Sequence, residues 1–305
     1  MVPINASGCR EGGDHEVAVI QREEIVSPFR EAAMDLAGPG SLHWRHAGDN
    51  RVLLLLVRVG LLQLMHPGLG AGVHDHSDFF GEPWERIIRS VPQIQGVTFD
   101  WPRAAATAEK ITAYHLDIKG VDERGRRYHA LDPETYFWAH LTIFDTMIRS
   151  IELFDHRLSD AEKAQLYAET MAGYRLYGVS DRCAPADWAG YERYLDRMCR
   201  EVLEVTPVAK GLLDFVEQPP ERFPLVPAPI YRLVKRPLGK FLWWVNRGTL
   251  HPAVLARIGA RWTPRDERLL RVFAKVMHVV WPLVPYRLRY SPRSREAMKR
   301  VAGAV

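Results

Sequence analysis

The stretch Arg51-Val-Leu-Leu-Leu-Leu-Val-Arg-Val-Gly-Leu-Leu-Gln-Leu-Met65 decides the fold, because its apolar residues occupy nearly every side of a helical projection. A helix that is apolar all round is stable in water only when other elements cover it. Asp49 precedes the run as a candidate N-cap, and Pro67 follows it as a stop signal. The stretch therefore predicts a buried central helix around which the remaining elements pack.

The same run is the longest apolar segment in the chain, but it is too short to cross a bilayer and Arg58 interrupts it. The N-terminal residues also lack a basic segment followed by an apolar one, which is the pattern of a secretory signal. We therefore expect a cytoplasmic protein, with attachment to a membrane surface left open.

Helix signals recur along the chain, whereas alternating strand patterns do not. Apolar residues repeat at spacings of three and four, and several of these runs are preceded by capping residues: Asp132, Ser159, Asp187, Thr206 and Thr263. The glycine-rich segment after Pro67 is predicted to be a bend, and Pro102 is predicted to open a helix that continues through Lys119. Motifs for dinucleotides, phosphate loops and serine nucleophiles are missing from the sequence. The predicted fold class is all-α, a single large helical bundle.

Composition divides the chain into three predicted parts. Residues 1–26 are polar and aperiodic, which predicts a mobile arm; residues 27–218 form the helical body, and residues 219–305 a basic, Pro- and aromatic-rich helical extension packed on it. Between Arg222 and Arg300, eighteen Lys and Arg accompany three acids. Such a segment is typical of contact with an anionic membrane, but a solvated basic face packed against the acidic half explains it equally well. No nucleic-acid recognition motif accompanies the charge, so nucleic acid is not an expected partner.

Six histidines between residues 66 and 140 suggest a metal centre in an apolar helical environment: His66, His74, His76, His115, His129 and His140. A non-haem site could use the two histidines and the acids of the segment His74-Asp75-His76-Ser77-Asp78. Alternatively, one buried neutral imidazole could hold a haem iron, with arginines from a neighbouring helix on the propionates. On predicted helices, Arg86, Arg89 and Ser90 share one face, and Thr112, His115 and Lys119 share another.

Several runs resemble the family of mpaB-type oxygenases, which includes the catalytic domain of bacterial rubber oxygenase. They are residues 38–49, 63–67 and 76–79, followed by 118–134 and 138–140 in the form seen in actinobacterial members. The motifs recur in order, and the resemblance covers about residues 38–215. It implies an α-helical bundle that encloses an apolar pocket for haem b, to which the composition adds the basic extension at the C-terminus.

The resemblance also implies roles for individual residues. Arg86-Ile-Ile-Arg89-Ser90 resembles the family's Arg-x-x-Lys-Thr segment beside the haem, and Thr112-Ala-Tyr-His115-Leu-Asp-Ile-Lys119 resembles its Arg-x-x-His-x-x-x-Arg segment. His115 is therefore expected to be the axial iron ligand, with Arg86, Arg89, Ser90 and Lys119 around the cofactor. The family's lysine is Arg89 here, and arginine does not readily bind iron because it stays protonated.

The function implied by the resemblance is a haem-dependent oxygenase that uses dioxygen to cleave a C=C bond in an isoprenoid or lipid-like substrate. Arg89, His74 and His76 are the candidate catalytic residues around the reacting groups. Two alternatives remain: a helical protein that binds haem or lipid without turnover, and a non-haem metal enzyme that uses His74, Asp75 and His76.

Overall fold

The computed structural model describes residues 28–77, 81, 83–220, 223 and 226–303, without the side chains of residues 28–31 and 83–87. The predicted arm of residues 1–26 lies outside this part. Within it the chain forms fifteen α-helices and one short antiparallel hairpin. The predicted all-α class is confirmed.

The elements follow one another with short connections. The first six helices are α1 (Pro28–Ala37), α2 (Leu42–Ala47), α3 (Leu56–Leu64), α4 (Pro67–His76), α5 (Pro83–Phe99) and α6 (Ala104–Ala113). The hairpin of β1 (Lys119–Val121) and β2 (Arg127–His129) precedes α7 (Pro133–Phe154), α8 (Asp160–Arg175), α9 (Trp188–Arg197) and α10 (Pro207–Glu217). The C-terminal helices are α11 (Ala228–Arg247), α12 (Pro252–Arg257), α13 (Pro264–Val280), α14 (Tyr286–Arg289) and α15 (Pro292–Ala302).

The apolar stretch that decides the fold is buried as predicted. It begins as a 3₁₀ helix, Asn50–Leu55, whose N-cap Asp49 accepts a hydrogen bond from the backbone N–H of Arg51 at 2.8 Å. It continues as α3, which packs on α7, and the Trp138 indole N–H of α7 donates to the carbonyl of Leu62 at 2.9 Å. Helix α7 in turn carries the largest share of the buried side chains, so α3 and α7 form the centre of the core.

Two local predictions are wrong. The glycine-rich segment is not a bend but helix α4, because buried Gly70 and Gly72 let it pack closely: a Cβ on Gly70 would lie 2.9 Å from Thr206. The helix opened near Pro102 ends at Ala113 rather than Lys119, and Lys119 lies in β1 opposite His129. Lys119 therefore does not lie one helical turn beyond His115, where the predicted helix would have placed it.

The C-terminal helices are joined to the body by buried and partly buried polar contacts. The Asn246 side chain of α11 donates to the carbonyl of Leu54 at 2.8 Å and accepts from the backbone N–H of Arg58 at 2.7 Å. The Arg293 guanidinium of α15 pairs with Asp100 in the turn after α5. Helices from both parts of the chain therefore complete one another's hydrogen bonds.

Among the residues that the structure describes, no single helix is both long and apolar enough to span a membrane. Two consecutive segments, Asn50–Leu64 and Pro67–His76, are long and apolar enough only when taken together, and the chain bends by 98° between them.

Candidate functional site

His115 lies in the turn between α6 and β1, where the end of α6 fixes its ring. The ring Nδ1 lies 2.8 Å from the carbonyl oxygen of Ile111. Because a carbonyl only accepts, Nδ1 carries the proton and Nε2 presents its lone pair. No hydrogen bond to Nε2 is found within the described part of the chain. Metal-bound histidines typically donate their other ring N–H to a carbonyl in this way, so the geometry suits an axial ligand.

Aromatic side chains cover one side of the half-buried His115 ring. The ring packs edge-to-face on Tyr136 with centroids 5.7 Å apart, and Tyr136 meets Tyr177 at 5.3 Å. Tyr136 is buried, and this burial raises the pKa of its hydroxyl to about 12. The surface behind His115 is therefore neutral at physiological pH and closed to water.

The α5–α6 hairpin brings other predicted site residues to the level of His115. The two helices pack together through Val97, Ala104 and Ala108 and are joined by a short turn. An α-helix rises about 1.5 Å per residue. The residue nine positions before Phe99 on α5 and the residue nine positions after Ala104 on α6 therefore lie at the same distance from the turn that joins the two helices. Those positions are Ser90 and Ala113, so Arg89 and Ser90 lie level with the turn that carries His115.

Arg89 and Ser90 are both exposed, and the side chain of Arg86 lies outside the described part of the structure. Large apolar side chains are also exposed on α5 and in the turn after α6: Ile88 (41%), Ile94 (37%), Tyr114 (53%) and Leu116 (40%). A porphyrin needs an apolar surface for its rings and cations for its propionates, so this end of the hairpin has the right chemistry for one.

Two cavities lie elsewhere in the described part of the chain. One, of about 400 Å³, lies between α4, the β-hairpin turn and α10 and includes His74 and Asp75. Arg124 and Arg126 pair there with Glu204, each at 2.7 Å, so the lining is charged and does not suit a porphyrin. The other, of about 520 Å³, lies at the start of α13. Neither is lined by His115, so the fit of a haem rests on the open apolar surface of the hairpin.

His74 and His76 lie on α4, which packs against the β-hairpin. The His74 Nδ1 is 2.8 Å from an Asp75 carboxylate oxygen, and the His76 ring meets Tyr128 at 6.2 Å. The Tyr128 hydroxyl donates to the other Asp75 oxygen, and this bond, followed by that from His74, lowers the pKa of Asp75. Within the described part of the chain, the contacts of these two predicted catalytic residues are with Asp75 and Tyr128, and none is with His115.

The same helix disfavours a shared metal ion. Residues two apart on an α-helix point about 200° away from each other, so His74 and His76 cannot bind one ion together. Among the described residues, no three His, Cys, Asp or Glu side chains are grouped closely enough to hold a metal. Asp78, the remaining member of the predicted non-haem site, lies outside the described residues.

Lys119 is exposed on β1, and the helix that was predicted to place it on one face with His115 is not formed. Its place beside the cofactor was also implied by the family motif, and that part stays a prediction. It follows His115 through an irregular connection, and its backbone pairs with that of His129 across the hairpin. The structure does not bring Lys119 onto the face that carries His115.

Two histidines that the sequence did not assign lie deeper along the same aromatic surface. His140 bonds through Nε2 to the Thr170 hydroxyl at 3.0 Å and packs on Tyr177, the neighbour of Tyr136. Burial, with a smaller contribution from His43, lowers its pKa to about 3. The Nε2 of His43 lies 3.2 Å from the Thr98 hydroxyl, whereas its buried Nδ1 has no hydrogen-bond partner among the described residues. Only the position of His43 in the run 38–49 pointed to it.

Comparison with known proteins gives one match. The family model described as "ER-bound oxygenase mpaB/B'/Rubber oxygenase, catalytic domain" covers residues 44–279, from α2 to the last turn of α13. No curated protein and no solved structure matches the chain. The matched range is well over half of the chain and includes the α5–α6 hairpin and His115. The chain belongs to the family of mpaB-type and rubber oxygenase catalytic domains.

Proposed function

We propose that this member of the oxygenase family is a haem b-dependent enzyme with His115 as the axial ligand to iron. The observation that carries the proposal is the 2.8 Å contact of Nδ1 with the Ile111 carbonyl, which directs the free Nε2 lone pair away from α6. This is the tautomer and the orientation that iron needs, at the residue that the family motif aligns with its ligand.

The chain's own residues have three tasks in this proposal. Arg89 and Ser90, level with His115 on α5, position the propionates through charge-assisted and hydroxyl hydrogen bonds, together with Arg86 by its place in the motif. Tyr136 and Tyr177 keep water from the ligand side, and the exposed apolar residues of the hairpin bind porphyrin and substrate. When bound, haem b supplies the activation of dioxygen.

The substrate class that we propose is an alkene in an isoprenoid or another lipid-like molecule. Cleavage of a C=C bond by one dioxygen gives two carbonyl groups, and both oxygen atoms are accounted for without an external reductant. A substrate of this kind has few polar groups, so its binding depends on burial of its apolar surface. The uncovered side chains Tyr114 and Leu116, next to His115 in sequence, and Ile88 on α5 offer such a surface.

The test begins with the absorbance spectrum and haem content of the freshly purified protein, followed by oxygen uptake with a panel of isoprenoid alkenes. We expect a Soret band, about one haem per chain and alkene-dependent oxygen consumption with carbonyl products. Stoichiometric haem without oxygen consumption would favour the non-catalytic haem-binding alternative. A colourless protein that retains iron would instead favour the non-haem alternative and would overturn the proposal.

A further inference from the structure

Helix α13 has two apolar faces, and only one of them is buried. Leu270 and Ala274 pack on the body of the protein. A second row is open to solvent, with exposures between 48% and 66%: Leu269, Val272, Val276 and Val279. Their spacing of three and four residues places them within about 80° of the helix circumference. Four aligned aliphatic side chains in water form a patch rather than scattered single residues.

The N-terminal half of α11 carries a second exposed apolar row: Ile230, Leu233, Val234 and Leu238. The two helices run antiparallel, because Trp244 donates to Asp266 at 3.2 Å while Phe241 packs on Phe273 at 5.3 Å. The start of α11 and the end of α13 therefore lie at the same end of the pair. The row on α11 lies on the same side of that helix as Phe241 and Trp244, and these two rings pack on Phe273 of α13. Both exposed rows therefore adjoin this aromatic cluster. We name this surface the α11–α13 face.

Basic residues border the α11–α13 face. Exposed Arg232, Arg236 and Lys240 follow one side of α11 at intervals of four, and Arg268 and Lys275 flank the row on α13. The sequence has no acid between residues 228 and 265 or between 268 and 295. A second copy of this face would bring like charges together, which opposes self-association. An anionic partner with an apolar interior would match both the charge and the aliphatic rows.

We propose that the α11–α13 face docks on the surface of an anionic lipid bilayer. The aliphatic rows would enter the boundary between headgroups and acyl chains, and the flanking Arg and Lys would lie at the lipid phosphates. This geometry holds the protein at the source of apolar molecules. The inference needs no cofactor and stands independently of the proposed function.

The test is flotation of the full chain with vesicles of phosphatidylcholine, alone or mixed with phosphatidylglycerol. We expect binding to the anionic vesicles that weakens with added salt, and little binding to the neutral ones. Leu269→Asp places a charge in the apolar row and should abolish binding. The pair Arg268→Gln and Lys275→Gln should lower the partition coefficient about 30-fold, because each basic residue contributes about a factor of five at such a surface.

Leu36→Asp is the matched control, since Leu36 on α1 is exposed to the same 48% as Leu269 but lies on another helix. This variant should bind vesicles like the unaltered protein, and circular dichroism should show that both variants are folded. Equal binding by Leu269→Asp and the unaltered chain would overturn the proposal. A dimer by light scattering that Leu269→Asp converts to monomer would also overturn it, because the face would then join two copies.

Discussion

Arg58 and Asp145 form an ion pair in the middle of the core, where both side chains are almost fully shielded from water. The Tyr191 hydroxyl donates to Asp145, and Arg58 also donates to the Thr146 hydroxyl at 2.9 Å. Burial acts to raise the pKa of Asp145, but the charges of Arg58 and Arg149 and the hydrogen bonds from Tyr191 and Arg58 keep it below its usual range. Asp145 therefore remains charged at neutral pH.

Asp145→Ala should lower the free energy of unfolding by about 3–5 kcal/mol, because it leaves the guanidinium of Arg58 buried without its counter-charge. Replacing both partners, as Arg58→Met with Asp145→Leu, should recover most of this loss. Urea denaturation measures both effects, with exposed Asp35→Ala as the control that stays near the unaltered protein. A loss of less than about 1 kcal/mol for Asp145→Ala would contradict the importance of the pair.

Three enclosed histidines make stability depend on pH. Burial lowers the pKa of His43 and His66 to about 4 and that of His140 to about 3, whereas in the unfolded chain these rings have the ordinary histidine pKa of 6.5. Between these values the unfolded state binds more protons than the folded state. The free energy of unfolding should therefore fall as the pH drops from about 6.5 toward about 4. Above about pH 6.5 the rings are neutral in both states, so they cause no pH dependence there.

His66 offers a clean test, because its Nδ1 caps α4 by accepting from the backbone N–H of Leu69 at 3.3 Å. His66→Asn keeps a good N-cap and removes the titrating ring. The slope of unfolding free energy against pH, measured by urea denaturation between pH 6 and pH 5, should decrease by about 1 kcal/mol per pH unit. An unchanged slope would show that His66 is not held neutral by the fold.

At the scale of elements, local capping explains why most helix starts could be predicted. Asp132 accepts from the backbone N–H groups of Glu134 and Thr135, each at 3.1 Å, before the proline that opens α7. The same logic holds at the other predicted starts, where the cap lies one residue before the helix: Ser159, Asp187, Thr206 and Thr263. These signals lie within four residues of sequence, so no knowledge of the fold is needed to recognise them.

Asp132→Ala should destabilise the protein by about 1 kcal/mol, because two N–H groups at the start of α7 lose their acceptor. Asp132→Asn keeps a side-chain oxygen at the same place and should restore most of the stability. Guanidinium denaturation of the two variants separates capping from charge. If Asn were as destabilising as Ala, the cap would not be the reason for the aspartate.

The two wrong element predictions fail because long-range contacts decide them. Helix α4 is stable despite its glycines because Gly70 and Gly72 allow contact with Thr206 and Ile118, and sequence spacing does not reveal these partners. After α6 the chain turns away, and β1 pairs with β2 through a turn in which Gly125 has a φ of +77°. That glycine was the available sign of a hairpin, since only a positive φ closes such a turn.

At the scale of the molecule, the described helices of the body and of the C-terminal extension share one set of contacts. Ser291 donates its backbone N–H to the Gly48 carbonyl at 2.9 Å, and Asn246 bonds to the central helix. The family match, which runs from residue 44 to 279, likewise includes the extension as far as α13. The basic extension is therefore part of the folded unit, and its outer side is the α11–α13 face.

The candidate site was only partly accessible from sequence. The motif around His115 pointed to this residue. Its ring orientation could not be predicted, because it depends on a bond to the Ile111 carbonyl from a residue beyond the end of α6. Arg89 and Ser90 come level with it through the antiparallel helix pair, which the short turn after Phe99 made predictable. Lys119 was grouped with His115 by helical spacing and by the family motif, and α6 ends before it. His74 and His76 were chosen as histidines of an apolar region, and they lie on α4.

The most direct test of the central claim is imidazole rescue of His115→Gly, followed by absorbance and haem content of the purified chain. If Nε2 of His115 binds the iron, His115→Gly should lose haem or show a shifted Soret band, and free imidazole should restore the original spectrum. His74→Gly, which alters a histidine on α4, should keep the spectrum of the unaltered protein. Full haem content and an unchanged Soret band in His115→Gly would contradict the assignment.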